Sequence, residues 1–229
     1  METRVRKLSP ARKVAALAMF AAMAYVLMLV SHVIPKVSGF LQFDLKDIPI
    51  IIGGFIFGPL ASLAISVVVS LIEMITISTS GPIGLVMNIL SSCAIACTAA
   101  IIYKKWQSIK GAVVGLVVGV LVMTSVMLLW NWLMVPLYTP AVSREAVAGM
   151  LMPIFLPFNL IKGGVNAALT LLLYKPLVSG LRKVGLAPPR EGQVATGRQG
   201  FKLNLGVLLV ALLVVITGAL VVMIWAGVF

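Results

Sequence analysis

The chain has 229 residues, of which 61% are hydrophobic and only 10% are charged. An ordinary soluble domain carries about 25% charged residues, so this composition excludes a soluble globular protein and indicates an integral membrane protein. The formal net charge of +12 also fits a nucleic-acid-binding protein, and the positions of the charges decide between the two explanations.

Apolar stretches predict seven helices, in chain order over residues 14–34, 48–57, 59–77, 82–102, 110–135, 153–174 and 205–228. The fold class is therefore an all-α integral membrane protein. A span needs about 20 apolar residues, so the second stretch is too short to cross a bilayer upright on its own. Gly58-Pro59 predicts a tight turn after it, and short segments interrupted by Gly and Pro are typical of transporter interiors.

Basic residues are concentrated in alternate connecting segments. Fourteen of the 18 lysines and arginines lie in segments 1–13, 103–110 and 175–202, whereas Lys36, Lys46 and Arg144 lie in the other connections. The positive-inside rule then places the N-terminus in the cytoplasm. This asymmetry explains the net charge without nucleic acid as a partner.

The C-terminal part changes character after the sixth stretch. Residues 175–202 contain Pro188-Pro189 and six basic side chains, a composition typical of a linker. We therefore predict a membrane domain over residues 1–183, a cytoplasmic linker over 184–203 and an additional transmembrane helix over 204–229, with the C-terminus outside.

Lys162 lies in the middle of the sixth apolar stretch, where a lysine costs roughly 2.5 to 3.5 kcal/mol on insertion scales. Such a residue faces a partner, a cavity or a ligand. Counting along each helix from the nearest outer turn places all the polar residues of the spans in the outer half of the bilayer. They are Glu73, Asn88, Asn131, Asn159, Lys162 and Asn166.

Two explanations fit these polar residues. Asparagines can tie helices together, with Glu73 paired to Lys162. Alternatively, the set lines a cavity open to the outside, and the i, i+3, i+7 spacing of Asn159, Lys162 and Asn166 on one helix face favours this second explanation. Amides and one cation among aromatic rings suit a flat, amphipathic small molecule, and the lack of an arginine cluster argues against a multiply phosphorylated one.

Several functional classes lack their motifs. The sequence has no phosphate-binding G-x-x-x-x-G-K-[S/T] loop and no H-E-x-x-H, and its one histidine, His32, lies at the outer end of the first span. Cys93 and Cys97 have no histidine or carboxylate beside them and make a poor metal site. We therefore predict a protein with no catalytic residues, no metal and no cofactor.

Two further segments have open interpretations. The outer loop 35–47 carries Phe40 and Phe43 beside Asp44 and Asp47, and its aromatic rings are either a membrane-surface anchor or a lid over a pocket. In the first span, small residues recur at helical spacing and allow another helix to approach closely, either within the chain or in a partner protein. These are Ala11, Ala15, Ala18 and Ala22.

A series of motifs resembles the riboflavin-specific substrate-binding component of energy-coupling factor (ECF) transporters. The resemblance covers about residues 10–183, with the motifs in order and at plausible spacing. They are Phe-Asp-Leu-Lys-Asp-Ile-Pro at 43–49, Ile-Gly-Gly-Phe at 52–55, Phe-Gly-Pro-Leu-Ala at 57–61, Gly-Pro-Ile-Gly at 81–84, Met-Asn at 87–88, Trp-Asn at 130–131 and Pro-Phe-Asn-Leu-Ile-Lys-Gly-Gly at 157–164.

This resemblance implies a six-helix bundle in the bacterial plasma membrane that binds riboflavin from outside. It also implies association with a module of two cytosolic ATPases and a transmembrane coupling subunit, and tilting of the bundle to release the vitamin inward. The seventh helix is a departure from the family pattern.

The same resemblance assigns roles to individual residues. Asn131, Asn159 and Lys162 correspond to polar contacts with the flavin, and Leu41 and Phe43 fall in the loop that caps it. Asn88 is a weaker addition. Ala15, Ala18 and Ala22, the last two best, are similar to the motif that meets the coupling subunit.

Two alternatives stay open from the sequence. The same scaffold can serve another vitamin, such as thiamine, or a modified purine. The second alternative is an autonomous secondary carrier, in which Glu73 and Lys162 are the coupling pair.

Overall fold

The computed structural model describes residues 9–33, 36, 41–139 and 142–186, together with positions 212, 216 and 218. Its helices are α1 Pro10–Ser31, α2 Asp47–Phe57, α3 Pro59–Thr76, α4 Gly81–Lys105, α5 Ile109–Tyr138, α6 Arg144–Met150 and α7 Leu156–Lys183. One π-helical turn, Leu151–Phe155, joins α6 to α7. Residues 187–203 of the predicted linker, and all but three positions of the predicted seventh helix, lie outside the described residues.

Within the described part of the chain, five helical segments are long and apolar enough to cross a membrane. They are α1, α3, α4, α5 and the continuous run from α6 to α7, Arg144–Lys183. The prediction of an all-α membrane protein is confirmed, and the second apolar stretch is indeed short, since α2 has 11 residues.

The sixth span begins earlier than the sequence suggested. We expected it to start at Pro153, but the helix begins at Arg144, where Ser143 Oγ accepts a hydrogen bond from the Ala146 backbone N–H at 3.2 Å. Pro153 lies inside the π-helical turn. Proline has no backbone N–H to donate, and a wider turn accommodates it without ending the helix.

The turn between α2 and α3 follows the predicted Gly-Pro signal. Gly58 has φ +93°, in the region that favours glycine, and Pro59 starts α3 with its φ already suited to a helix. The chain therefore reverses within one residue, which keeps α2 and α3 adjacent.

The short helix α2 lies at the centre of the bundle. It packs against α1, α3, α4 and α7, and nine of its eleven residues are buried. Surrounded by protein on all sides, α2 does not need to cross the bilayer alone. Its N-terminus brings the preceding loop residues into the interior, and this positions the candidate site.

Candidate ligand site

The segment that leads into α2, residues 41–47, ends at the first residue of that helix, enters the bundle and is bonded to four surrounding helices. At α1, Ser31 Oγ accepts a hydrogen bond from the Leu45 backbone N–H at 3.0 Å, and the Ser31 carbonyl accepts one from Gln42 Nε2 at 3.0 Å. The bonds to α3, α4 and α7 come from the three charged residues of the segment.

The first of these charges pairs with the intramembrane lysine. Lys162 Nζ lies 2.7 Å from Asp44 Oδ2, and the residues are 8% and 6% exposed. Asn166 Nδ2 donates to the backbone carbonyls of Asp44 and Lys162, both at 3.0 Å. The Asp44 carboxylate thus offsets the cost of placing Lys162 in an apolar helix, and the Asn166 amide holds the Asp44 backbone in place.

Asp44 is ionised in this environment. Burial alone raises the pKa of a carboxyl, but the ammonium groups of Lys162 and Lys46 outweigh burial and hold the pKa of Asp44 below its ordinary value. The pair is therefore a true ion pair at neutral pH.

The second charge decides one of the explanations that the sequence left open. Lys46, which lies in an outer connection of the predicted topology, is 1% exposed, and its Nζ lies 2.6 Å from Glu73 Oε2 on α3. Glu73 therefore does not pair with Lys162, because each of them has another partner. A lysine between two aspartates directly before a buried helix was the available signal for this arrangement.

The third charge bonds the segment to α4. Asp47 is 1% exposed, and its Oδ1 accepts a hydrogen bond from Ser92 Oγ at 2.5 Å. Sequence analysis gave no role to Asp44, Asp47 or Ser92. We refer to the five ionisable residues Asp44, Lys46, Asp47, Glu73 and Lys162 as the charge cluster.

The aromatic residue of the segment packs on α7. Phe43 is 6% exposed and belongs to one buried apolar cluster with Phe158 and Val165, with Leu41 packed at its edge. Phe43 therefore faces protein and not lipid, which favours the lid over the membrane anchor. Phe40 lies outside the described residues.

The predicted asparagines are placed differently from one another. Asn131 and Asn159 are 5% and 4% exposed, and each donates from Nδ2 to the backbone carbonyl four residues earlier, Met127 or Phe155, at 2.7 Å. They bond within their own helices and so do not tie helices together. Asn88 on α4 is half-buried, and no hydrogen bond joins it to another described residue.

Helix α7 packs closely on α5. A Cβ atom placed on Gly163 would lie 2.9 Å from side-chain carbons of both Val120 and Met123 on α5. Glycine at this position therefore lets the two helices come this close. The stretch of α7 that carries Asn159 and Lys162 is thereby held against α5, the helix that carries Asn131.

The alanine stripe of α1 lies on another part of the bundle. Ala15, Ala18 and Ala22 are exposed, whereas the neighbouring Ala16 and Ala24 are fully buried. Helix packing among the described residues therefore leaves the stripe uncovered. Beside it, Ala22 lines an apolar groove of about 670 Å³ between α1, α2 and α7, together with Met23, Ile52 and Leu177.

Comparison with known proteins gives consistent matches. A family model described as "ECF transporter, substrate-specific component" matches residues 12–174. The chain is 33% identical over 171 residues to the riboflavin transporter FmnP of Bacillus subtilis (strain 168), an alignment that covers 71% of this chain and 90% of that protein. It is 31% identical over 178 residues to the riboflavin transporter RibU of Staphylococcus aureus (strain TCH60), covering 76% and 94%.

A solved structure has the same fold. It is described as "Structure and mechanism of the S component of a bacterial ECF transporter" and superposes with a TM-score of 0.64 at 31% sequence identity, covering 76% of this chain and 99% of that chain. The portion of the chain that these relatives share contains every predicted site residue.

Proposed function

Because this chain belongs to the family of ECF transporter substrate-specific components, we propose that it captures riboflavin outside a bacterial cell and delivers it inward with a separate ATPase and coupling module. Family membership confirms the resemblance predicted from the motifs. It also makes the chain a multi-pass membrane transport component and not an enzyme.

The observation that carries the riboflavin proposal is the buried, paired Lys162 beneath segment 41–47, in a fold shared with proteins named riboflavin transporters. In this proposal Asn131, Asn159 and Lys162 make the polar contacts with the flavin, while Leu41 and Phe43 cap it. An ammonium group donates to ring carbonyl oxygens, and asparagine oxygens accept from ligand N–H or O–H groups. Asn88 is a weaker candidate for a ligand contact.

Ligand entry requires segment 41–45 to move. Phe43, Asp44 and Lys162 are all more than nine-tenths buried, so a ligand reaches Lys162 from outside only when the segment lifts from α7. The flavin then takes over part of the apolar contact that Phe43 makes with Phe158 and Val165. The segment acts as the lid of the site.

The exposed alanine stripe supports a partner on another face. Ala15, Ala18 and Ala22 present small side chains next to an apolar groove, which is the surface that a closely packed helix requires. We assign it to the coupling subunit of the ATPase module. With the N-terminus in the cytoplasm, residues 1–183 form the binding domain, followed by the linker 184–203 and the additional helix 204–229.

Purified protein in detergent tests this function directly. Riboflavin fluorescence should be quenched on binding, and thiamine or purine competitors in excess should not restore it. Absence of quenching would overturn the proposal, and displacement by thiamine would reassign the scaffold to another vitamin. Riboflavin uptake into proteoliposomes by this chain alone would instead show an autonomous carrier.

A further inference from the structure

Two buried oxygen atoms beside Lys162 have no hydrogen-bond donor among the described residues. They are Oδ1 of Asp44 and Oδ1 of Asn166, on residues that are 6% and 0% exposed. Buried acceptors without a partner are rare, because the lost hydration is not replaced. The backbone N–H of Lys46 also acts on the Asp44 carboxyl, but no donor of the described residues meets hydrogen-bond geometry at either Oδ1.

The remaining atoms of these side chains fix which oxygen is free. Asp44 Oδ2 is bonded to Lys162 Nζ, and Asn166 Nδ2 donates to two backbone carbonyls at 3.0 Å. Turning the Asn166 amide over would place its oxygen against those two carbonyl oxygens. The orientation is therefore set by the network, and Oδ1 is left as an acceptor.

These two oxygens differ from the unpaired buried hydroxyls on α5 and α7. Thr124 and Thr170 also have buried hydroxyls without a partner, but a hydroxyl can rotate and donate to the carbonyl four residues earlier in its helix. An ionised carboxylate oxygen and an amide oxygen can only accept. They need a donor from another molecule.

The neighbouring asparagines add to this excess of acceptors. Asn131 and Asn159 also use Nδ2 within their own helices, which leaves Oδ1 of each for a ligand. Lys162 Nζ is the one charged donor among these groups, and it is already bonded to Asp44. The site is therefore matched to a ligand part that carries several hydrogen-bond donors.

Riboflavin has two polar parts with different chemistry. Its ring edge offers mainly acceptors and a single imide N–H donor, whereas its ribityl chain has four hydroxyl groups. We propose that Asp44 Oδ1 and Asn166 Oδ1 accept hydrogen bonds from ribityl hydroxyls and so make the site selective for flavins that carry the polyol chain. This inference rests on the proposed function and adds two binding residues to it.

A comparison of riboflavin with lumiflavin, which has a methyl group in place of the ribityl chain, tests the inference in the full-length protein. The dissociation constants of both are measured by fluorescence quenching for the wild type, Asn166→Leu and Asp44→Ala. Each variant should lower the riboflavin affinity about 5- to 100-fold more than the lumiflavin affinity, the range expected for an unpaired buried partner. Asp44→Ala should also weaken lumiflavin binding, because it removes the ion-pair partner of Lys162. Asp44→Asn keeps an oxygen at the same place and should preserve more of the preference for riboflavin than Asp44→Ala.

Lumiflavin binding also shows that a variant is folded. Ser125→Ala, an exposed hydroxyl on α5, is the control and should change neither constant. Equal losses for both flavins would overturn the inference, because these residues would then contact the ring or only support the fold. Unchanged affinity for both would remove the two residues from the site. A wild-type protein that binds neither flavin would instead overturn the proposed function itself.

Discussion

The buried face of α7 and the exposed face of α1 differ in opposite ways from what the polarity of their residues predicts. On α7, Asn159, Lys162 and Asn166 are polar, yet all three are at least 92% buried. On α1, Ala18 and Ala22 are apolar and small, yet both are exposed. The α7 face buries polar groups that water would hydrate, and the α1 face exposes small apolar residues that pack closely against helices.

Under the proposed function, this difference separates ligand capture from partner docking. Buried polar groups are stable only with their own partners, so the α7 face is preorganised by Asp44 and by backbone carbonyls before any ligand arrives. An exposed face of small apolar residues needs no hydrogen-bond partners, and a second helix can pack against it. Substitutions on the two faces should therefore have separable effects.

The largest effect is expected from Lys162→Met. Removing the ammonium leaves the Asp44 carboxylate buried without its partner, which costs about 3–5 kcal/mol of stability. Riboflavin affinity should fall by roughly 100-fold or more, because the ligand loses a donor and the lid loses its ion pair. Thermal unfolding and fluorescence quenching measure the two losses separately.

A double variant separates the two roles of Lys162. Asp44→Asn combined with Lys162→Met removes both charges and should restore most of the stability without restoring riboflavin affinity. Recovery of riboflavin affinity in the double variant would show that Lys162 only holds the lid.

The next effect concerns the ion pair between Lys46, directly after the lid, and Glu73. Lys46→Met and Glu73→Gln should each destabilise the protein by about 1.5–3 kcal/mol, and the double variant should be no worse than either, because the two side chains form one ion pair. Glu73 lies at the edge of the bundle, with its side chain 12% exposed, so its loss should raise the riboflavin dissociation rate without abolishing binding. Strictly additive losses would contradict the pair.

The sequence predicted most of the helices and the shared polar face of α7. Hydropathy and the i, i+3, i+7 spacing indicate that Asn159, Lys162 and Asn166 lie on one face, and all three are buried. The sequence does not identify the partners of the buried charges. Pairing Glu73 with Lys162 is one explanation because both lie in apolar stretches, whereas Asp44 and Lys46 precede α2 and count as loop residues.

The missing information was the position of α2. Hydropathy shows that residues 48–57 are apolar and short, but it does not show that the helix is enclosed by α1, α3, α4 and α7. Once α2 is central, the residues before it must enter the bundle, and their charges must find buried partners. Pairings such as Asp44 with Lys162, 118 positions apart, are set by tertiary structure alone.

A smaller effect is expected on the α1 face, and it should not touch the ligand. Ala18→Leu should leave riboflavin affinity within about twofold of the wild type but reduce co-purification with the ATPase and coupling module by about tenfold, because a larger side chain keeps a partner helix at a distance. Val117→Leu, at a large exposed apolar position on α5, is the control. A parallel loss of riboflavin binding would show that the two faces are not independent.

The smallest effect is expected from removing residues 187–229. Every residue assigned to riboflavin lies between positions 41 and 166, and the solved relative matches 76% of this chain over 99% of its own length. One contact argues for a measurable change. Gly218 is buried against α7, where a Cβ atom would lie 2.5 Å from Val165 Cγ2, and Val165 packs in the same cluster as Phe43. Truncation should therefore lower the melting temperature slightly and change riboflavin affinity by no more than about twofold. If affinity fell tenfold, the appended helix would be a structural support of the lid and not only a membrane anchor.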